Sequence, residues 1–226
     1  MHSALLASLI ALASGAVDYS GSATLDDVTA FFNTDAFIIL LVRSYTHRIR
    51  GHEPICIYNS KYTLLSKTSL IIHHHYVYYI KEHGYGFGYP VHYALSRQPG
   101  MDLAPLMWAT NGTNFSRTEK TFSEDKNGRM YSFNYYDPET KCAVITFTDN
   151  SYSTKCELYV WKGSYGKPIE NCRREYLYRC PEHTHYYPSE SKRCPWSTIN
   201  KITLTYVLPA LYFLREPCLF RIFSTA

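Results

Sequence analysis

The chain has 226 residues, enough for one domain with a sizeable hydrophobic core or for two small ones. It is 46% hydrophobic and 16% aromatic, and its 22 tyrosines favour strands over helices. The net charge of +4 is spread along the chain without a basic block or an acidic tail, which argues against a nucleic-acid-binding protein.

The chain begins with a segment typical of a secretory signal peptide. Residues 1–16 contain an apolar run, Ala4–Ala13, that is too short to span a bilayer and is followed by small residues. We predict cleavage near Gly15 or Ala16; the alternative is a buried N-terminal helix. In a secreted chain the seven cysteines should form disulfides, and the lack of a C-x-x-C pair disfavours a zinc or redox site.

Short β-prone segments dominate the region after the signal peptide. A short helix capped by Asp26 or Asp27 precedes them, and a second helix begins near Pro168. The closely spaced sequons at Asn111 and Asn114 predict a glycosylated surface loop. Strands at such spacing indicate an all-β sandwich or barrel. The strand candidates are Ala36–Val42, Ile55–Tyr58, Ser69–Ile80, Val91–Leu95, Leu106–Ala109, Met130–Tyr136, Ala143–Thr148 and Lys155–Trp161.

Residues 195–226 form a C-terminal extension whose place in the fold the sequence leaves open. Its apolar stretch, Ile202–Leu214, has only 13 residues and is broken by Pro209, so it is too short for a confident transmembrane helix. The charged tail that follows argues against a lipid-anchor signal. We therefore assign residues 17–194 to the folded domain and interpret the extension either as an extra packed segment or as sequence foreign to the fold.

No segment carries a convincing catalytic or metal-binding motif. In the strand IIHHHYVYY, His73 and His75 share one face and His74 lies on the other, so a metal would need a third ligand from elsewhere. GYGFGY lacks the spacing of a phosphate loop and is typical of a hairpin tip, and Ser164 lies outside any G-x-S-x-G motif. We therefore predict a binding protein rather than an enzyme, with no catalytic residue, no metal and no cofactor.

One acidic residue stands out in the last predicted strand. Alternation gives Lys155–Trp161 one face with Glu157, Tyr159 and Trp161. Such a face is either exposed to solvent or lines a ligand cavity, where the carboxylate would pair with an ammonium and the rings would add cation–π attraction. Eight-stranded barrels leave room for one small ligand of this kind.

The order of cysteines and acids around Glu157 follows a recognisable pattern. Cys142-Ala143-Val144 is followed after twelve residues by Glu157-Leu158-Tyr159, and after twelve more by Cys172. This order resembles the amine-binding signature of the tick salivary lipocalins, the group that includes histamine-binding proteins: Cys-Asp-aliphatic, then Glu-Leu-Trp/Tyr, then Cys. DDVTAFFNTDAFIILLVRSY resembles that family's N-terminal helix and first strand, EPICIY its second-strand cysteine, and YYPSESKRC its closing segment. The resemblance covers residues 25–194.

The resemblance implies a fold, a disulfide pattern and a binding site. The fold is an eight-stranded antiparallel lipocalin barrel with a short N-terminal helix and a C-terminal helix packed outside. The implied disulfides are Cys56–Cys194, Cys142–Cys172 and Cys156–Cys180, which leaves Cys218 over. The implied ligand is a biogenic amine, histamine or serotonin, with Glu157 as its counter-ion. The implied aromatic walls are Tyr45, Tyr159 and Trp161, together with Tyr135 or Tyr136.

Two departures from the family pattern keep other ligands open. Ala143 stands where the signature has an aspartate, and Arg48 follows Tyr45 by three residues, where amine binders of the family carry an acid. An anionic lipid such as a leukotriene or fatty acid, held by Arg43 or Arg48, is therefore the first alternative. The second is an interaction module whose loops bind a host protein such as a complement component. Neither a nucleic acid nor a membrane is an expected partner.

Overall fold

The fold is taken from a computed structural model, which describes residues 23–49, 51–97, 103–111, 128–181, 183–191, 193–194, 196 and 205–206. The predicted signal peptide, the sequon at Asn114 and Cys218 lie outside these residues. Asn111, the other sequon, ends a strand.

Eight consecutive strands close into an antiparallel barrel, as expected. Each strand pairs with its neighbour in the sequence, and the eighth pairs with the first, so the barrel has no open seam. A ninth short strand from the C-terminal extension runs parallel to part of the fourth. The strands are β1 (Ile38–Arg43), β2 (Cys56–Ser66), β3 (Ser69–Ile80), β4 (His83–Ser96), β5 (Leu106–Asn111), β6 (Arg129–Asp137), β7 (Cys142–Thr148), β8 (Thr154–Trp161) and β9 (Thr205–Tyr206).

Strand β4 is much longer than its sequence predicts. GYGFGY belongs to this strand, so the expectation of a hairpin tip was wrong. Its glycines give room to large side chains on the neighbouring strand β3. A Cβ atom on Gly84 would lie 3.1 Å from the ring of Tyr79, and one on Gly88 would lie 2.8 Å from Nδ1 of His75. The glycines therefore mark close packing of aromatic rings over the strand backbone rather than a turn.

Helix α1 (Leu25–Phe32) closes one end of the barrel. Its cap is Thr24, and Asp27 is the reciprocal partner: the Thr24 hydroxyl accepts from the Asp27 amide, while the Asp27 carboxylate accepts from the Thr24 amide. The predicted cap at Asp26 or Asp27 was therefore misplaced. The helix buries three side chains against the barrel interior: Val28, Phe31 and Phe32.

Helix α2 (Glu170–Arg179) packs on the outside of the barrel and is tied down by disulfides. Cys142–Cys172 and Cys156–Cys180 join it to β7 and β8, and Cys56–Cys194 joins the closing segment to β2. These are the pairs that the resemblance implied, and each is worth about 2–4 kcal/mol. Neither described helix is long and apolar enough to cross a membrane.

Candidate functional site

Strand β8 turns its acidic residue into the barrel, which decides between the two orientations that the sequence left open. Tyr159 belongs to the cluster of inward side chains, whereas Leu158 and Val160 belong to the cluster under α2. Glu157, on the face of Tyr159, is only 5% exposed. The expectation of a solvent-exposed face is thereby excluded, and the barrel contains a buried carboxylate that needs polar partners.

Two tyrosine hydroxyls hold the Glu157 carboxylate. The hydroxyl of Tyr45 donates a short hydrogen bond to Oε1, and that of Tyr159 donates to Oε2 at 3.1 Å. Burial raises the pKa of Glu157. The two hydrogen bonds and the guanidiniums of Arg129 and Arg43 oppose this rise without cancelling it. The carboxyl therefore takes up a proton more readily than an exposed glutamate does.

A β-bulge in β1 brings Arg43 into the barrel. Leu40 lies opposite Tyr159 and faces inward, but the register then shifts, so that Val42 faces outward. Arg43 consequently lies directly opposite Glu157, and both side chains leave the sheet on its inner face. Strict alternation from Leu40 would have placed Arg43 outside.

The guanidinium of Arg43 is buried and poorly satisfied. Its residue is 1% exposed, and its Nη2 lies 3.4 Å from Oε1 of Glu53, whose own side chain is half-exposed. The group also lies over the ring of Tyr45, 5.5 Å from its centroid. Nε and Nη1 are buried and have no hydrogen-bond partner among the described residues. These nitrogens are available to an acceptor group from outside the described residues.

Aromatic rings and a second guanidinium complete the arrangement around Glu157. Phe147 meets the rings of Tyr45 and Tyr131 edge-on, with centroid separations of 5.1 and 5.2 Å. The guanidinium of Arg129 lies 4.2 Å from the Phe147 centroid. Burial raises the pKa of Tyr45 and Tyr131, so both phenols stay neutral. We call this group the Glu157 site: Arg43, Tyr45, Arg129, Tyr131, Phe147, Glu157 and Tyr159.

Two histidines near the Glu157 site are neutral at physiological pH. Burial, and then the charges of Arg43 and Arg129, lower the pKa of His47 to about 4. His74 is on the inner face, 2.8 Å from the Tyr93 hydroxyl through Nε2, and burial lowers its pKa to about 3. The alternation predicted for the histidine run is confirmed. Within the described residues, no group of three or more metal-binding side chains comes together.

The structure separates several residues that the resemblance grouped with Glu157. Trp161 is inside the barrel but at the α1 end, where its indole nitrogen donates to the Phe31 carbonyl at 2.9 Å. It is four residues along the strand from Glu157, or about 13 Å. Tyr136 contacts Phe31 at the same end.

Tyr135 and Arg48 lie outside the Glu157 site. A second bulge, in β6 between Phe133 and Tyr135, turns Tyr135 outward to the cluster under α2 and leaves Tyr136 facing inward. Arg48 is exposed in the segment after β1. Among the predicted site residues, the structure therefore brings Tyr45 and Tyr159 to Glu157.

The position of the missing aspartate is also on the inner face. Ala143 is fully buried directly opposite Tyr159, so the site has no second carboxylate there. Three further members of the site, Arg129, Tyr131 and Phe147, were not predicted from the sequence. The inward alternation of Tyr131 with Phe133 was a usable signal, but nothing local pairs Tyr131 with Phe147, which are 16 residues apart in sequence and directly opposite in the sheet.

A separate pocket, partly open to solvent and with room for about one water molecule, lies at the α1 end. Its lining includes Asn59 and Tyr62, whose Oδ1 and hydroxyl are buried and have no partner within the described ranges. The pocket is smaller than the 300–1,000 Å³ usual for drug-sized ligands. Its described lining has no charged side chain and consists of Phe32, Thr34, Ala36, Ile38, Asn59, Ser60, Tyr62 and Ile72.

Comparison with known proteins places the chain among ligand-binding barrels. A family model described as tick histamine binding protein matches residues 20–194. Two similar solved structures are the AM182 serotonin complex, 10% identical with a TM-score of 0.43, and lobster apocrustacyanin A1, 11% identical with a TM-score of 0.43. The alignments cover 74% and 78% of this chain and 92% of each structure. No curated protein matches the sequence.

Proposed function

Because this chain belongs to the tick histamine-binding protein family, we propose that it is a secreted lipocalin that sequesters a biogenic amine, histamine or serotonin, without turnover. The observation that carries the proposal is the buried Glu157 carboxylate, held by two tyrosine hydroxyls inside the barrel. The predicted signal peptide and the three disulfides support secretion.

The chemistry of the Glu157 site suits an ammonium group. A carboxylate offers about four acceptor positions, of which the tyrosines use two, so two remain for ammonium hydrogens. The faces of Tyr45, Tyr131 and Phe147 would add cation–π attraction and contact with the ligand ring. Because the carboxylate is buried, its attraction for a cation is weakly screened.

Glu157→Gln tests the counter-ion role, because it keeps the side-chain shape and removes the charge. We expect histamine and serotonin to bind at least about 30-fold more weakly, since losing one partner of a buried charge pair costs about 2 kcal/mol or more. The matched control is Trp161→Phe, at the other end of the same strand, which should leave amine affinity unchanged. Isothermal titration calorimetry measures both, and circular dichroism checks that each variant is folded.

The opposite pattern would overturn the proposal. If Glu157→Gln kept the wild-type affinity while Trp161→Phe lost it, the amine would bind at the α1 end. If neither amine bound the wild-type protein while a host protein did, the chain would be an interaction module. Amine affinity should also fall as the pH is lowered towards the raised pKa of Glu157, because protonation removes the counter-charge.

The second candidate is an anionic lipid such as a leukotriene or fatty acid. The specific observation in its favour is the buried guanidinium of Arg43, whose Nε and Nη1 have no hydrogen-bond partner in the part of the chain that the structure describes. A carboxylate there would form charge-assisted hydrogen bonds. Calorimetry with leukotriene and with a fatty acid separates this candidate from the first. The affinity for the lipid should fall in Arg43→Met and stay unchanged in Glu157→Gln, whereas the affinity for an amine should fall in Glu157→Gln.

A further inference from the structure

Two residues of opposite charge lie next to each other on the inner face of the barrel. Arg43 and Glu157 are direct cross-strand partners, so their Cβ atoms are about 5 Å apart. Both residues are almost fully buried, at 1% and 5% exposure. Within the described residues they nevertheless form no ion pair, because the Arg43 guanidinium reaches towards Glu53 instead. The two charges are therefore adjacent but not paired with each other.

Each of the two charged groups has unused hydrogen-bonding capacity. Glu157 keeps about two of its four acceptor positions after the tyrosine hydroxyls are counted. Arg43 keeps the donors on Nε and Nη1, which are buried without partners. Unsatisfied buried donors are unfavourable, and native proteins seldom leave them so. Tyr45 contacts both groups: its ring lies under the Arg43 guanidinium, and its hydroxyl donates to Glu157.

A ligand with a single charge satisfies only half of this arrangement. A bare amine would pair with Glu157 but would add a third cation beside Arg43 and Arg129, both of which already act on that carboxylate. A bare acid would pair with Arg43 but would add a second anion beside Glu157. Like charges brought together in a buried site repel strongly, because the interior screens them weakly.

We propose that the ligand of the Glu157 site is zwitterionic: a small aromatic compound whose ammonium pairs with Glu157 and whose carboxylate pairs with Arg43, as in an aromatic α-amino acid. This inference rests on the proposed function, because it keeps the ligand ammonium paired with Glu157, and it adds a carboxylate to the ligand. Such a ligand brings no net charge into the barrel and satisfies both groups at once. Its ring would lie among Tyr45, Tyr131 and Phe147.

Ligand pairs that differ only by a carboxylate test the proposal directly. Histidine is histamine with a carboxylate, and 5-hydroxytryptophan is serotonin with a carboxylate. Calorimetry on the wild-type protein should find the amino acid bound at least about 10-fold more tightly than its amine, which corresponds to about 1.4 kcal/mol. This comparison needs no variant, so it stands whatever the folding of the variants.

Arg43→Met should reverse the preference within each pair. Removing the guanidinium deprives the ligand carboxylate of its partner, so the amino acid should bind more weakly. It also removes a cation that repels the ligand ammonium, so the amine should bind more tightly. Arg43→Gln, which keeps a neutral donor, should give an intermediate result. Glu157→Gln should weaken both members of each pair.

The outcomes separate this inference from the proposed function. If the amines bind more tightly than the amino acids in the wild-type protein, the zwitterion is wrong while amine sequestration stands. If the acids that lack only the ammonium, imidazole propionate and 5-hydroxyindole-3-propionate, bind as tightly as the amino acids, the ammonium half of the proposal is wrong. If none of these compounds binds, the proposed function fails and this inference fails with it.

Discussion

Replacing Arg43 by methionine should make the ligand-free protein more stable. The guanidinium is 1% exposed, two of its nitrogens have no hydrogen-bond partner, and its ion-pair partner Glu53 is half-exposed. Methionine fills a similar volume with an apolar, flexible chain, and replacing buried ionic groups by apolar ones of similar size is often neutral or stabilising. We therefore infer that Arg43 is retained for ligand binding although it lowers the stability of the ligand-free protein.

The size of the gain follows from the contacts of Arg43. Each unsatisfied buried nitrogen is unfavourable by about 1–3 kcal/mol, while a half-exposed pair such as Arg43–Glu53 contributes about 1 kcal/mol or less. Loss of the positive charge beside Glu157 opposes the gain, so we expect a net rise of about 1–4 kcal/mol in the free energy of unfolding. That rise corresponds to about 2–4 °C in Tm for each kcal/mol in a chain of this size.

Urea unfolding at pH 7, with the disulfides intact, measures the free energy of unfolding of the wild-type protein and of Arg43→Met. A double-mutant cycle with Glu157→Gln isolates the attraction between the two side chains, for which we expect about 0.5–3 kcal/mol. If Arg43→Met destabilised the protein by more than about 1 kcal/mol, contacts within the barrel would already satisfy the guanidinium. The argument that Arg43 awaits a ligand carboxylate would then fail.

Two further predictions concern His74 in the barrel interior and the disulfide that attaches α2 to β8. The pKa of His74 is lowered to about 3 from its ordinary 6.5, so the unfolded chain binds a proton below pH 6.5 that the folded protein does not. The contribution of His74 to the free energy of unfolding is therefore constant above pH 6.5 and decreases as the pH falls below it. The decrease is about 2 kcal/mol at pH 5. His74→Gln should remove that loss in urea unfolding at pH 7 and pH 5, and equal acid sensitivity in both proteins would refute the assignment. The disulfide between Cys156 and Cys180 closes a short loop, with a sequence separation of 24 residues. Replacing both cysteines by serine should lower the free energy of unfolding by about 3 kcal/mol. An unchanged urea midpoint would mean that packing alone holds α2 on β8.

The sequence predicted which side chains share a face wherever a strand keeps its regular alternation. Strict alternation in β8 placed Glu157 and Tyr159 on one face, and alternation in β3 placed His74 on the face opposite its neighbours. These assignments succeed because successive side chains of an extended strand point to opposite faces whatever the rest of the fold does. The cysteine pairs came from the family resemblance, since spacing alone leaves the pairing open.

Long-range contacts decided the features that the sequence left open. GYGFGY looks like a turn, but its glycines lie in β4 because the side chains of Tyr79 and His75 on β3 need the space. Which of Tyr135 and Tyr136 faces inward was settled by a bulge in β6. A bulge depends on how two strands pair, so no local pattern announces it.

Strand pairing also decided which arginine lies inside the barrel. The sequence by itself determined an aromatic-rich all-β fold and the set of residues that share a face with Glu157, because these follow from composition and strand period; the barrel came from the family resemblance. The sequence left open whether Arg43 or Arg48 would be the interior cation. Only the pairing of β1 with β8 decided this, because one extra residue at the bulge reverses the alternation and sets Arg43 opposite Glu157, while Arg48 remains exposed.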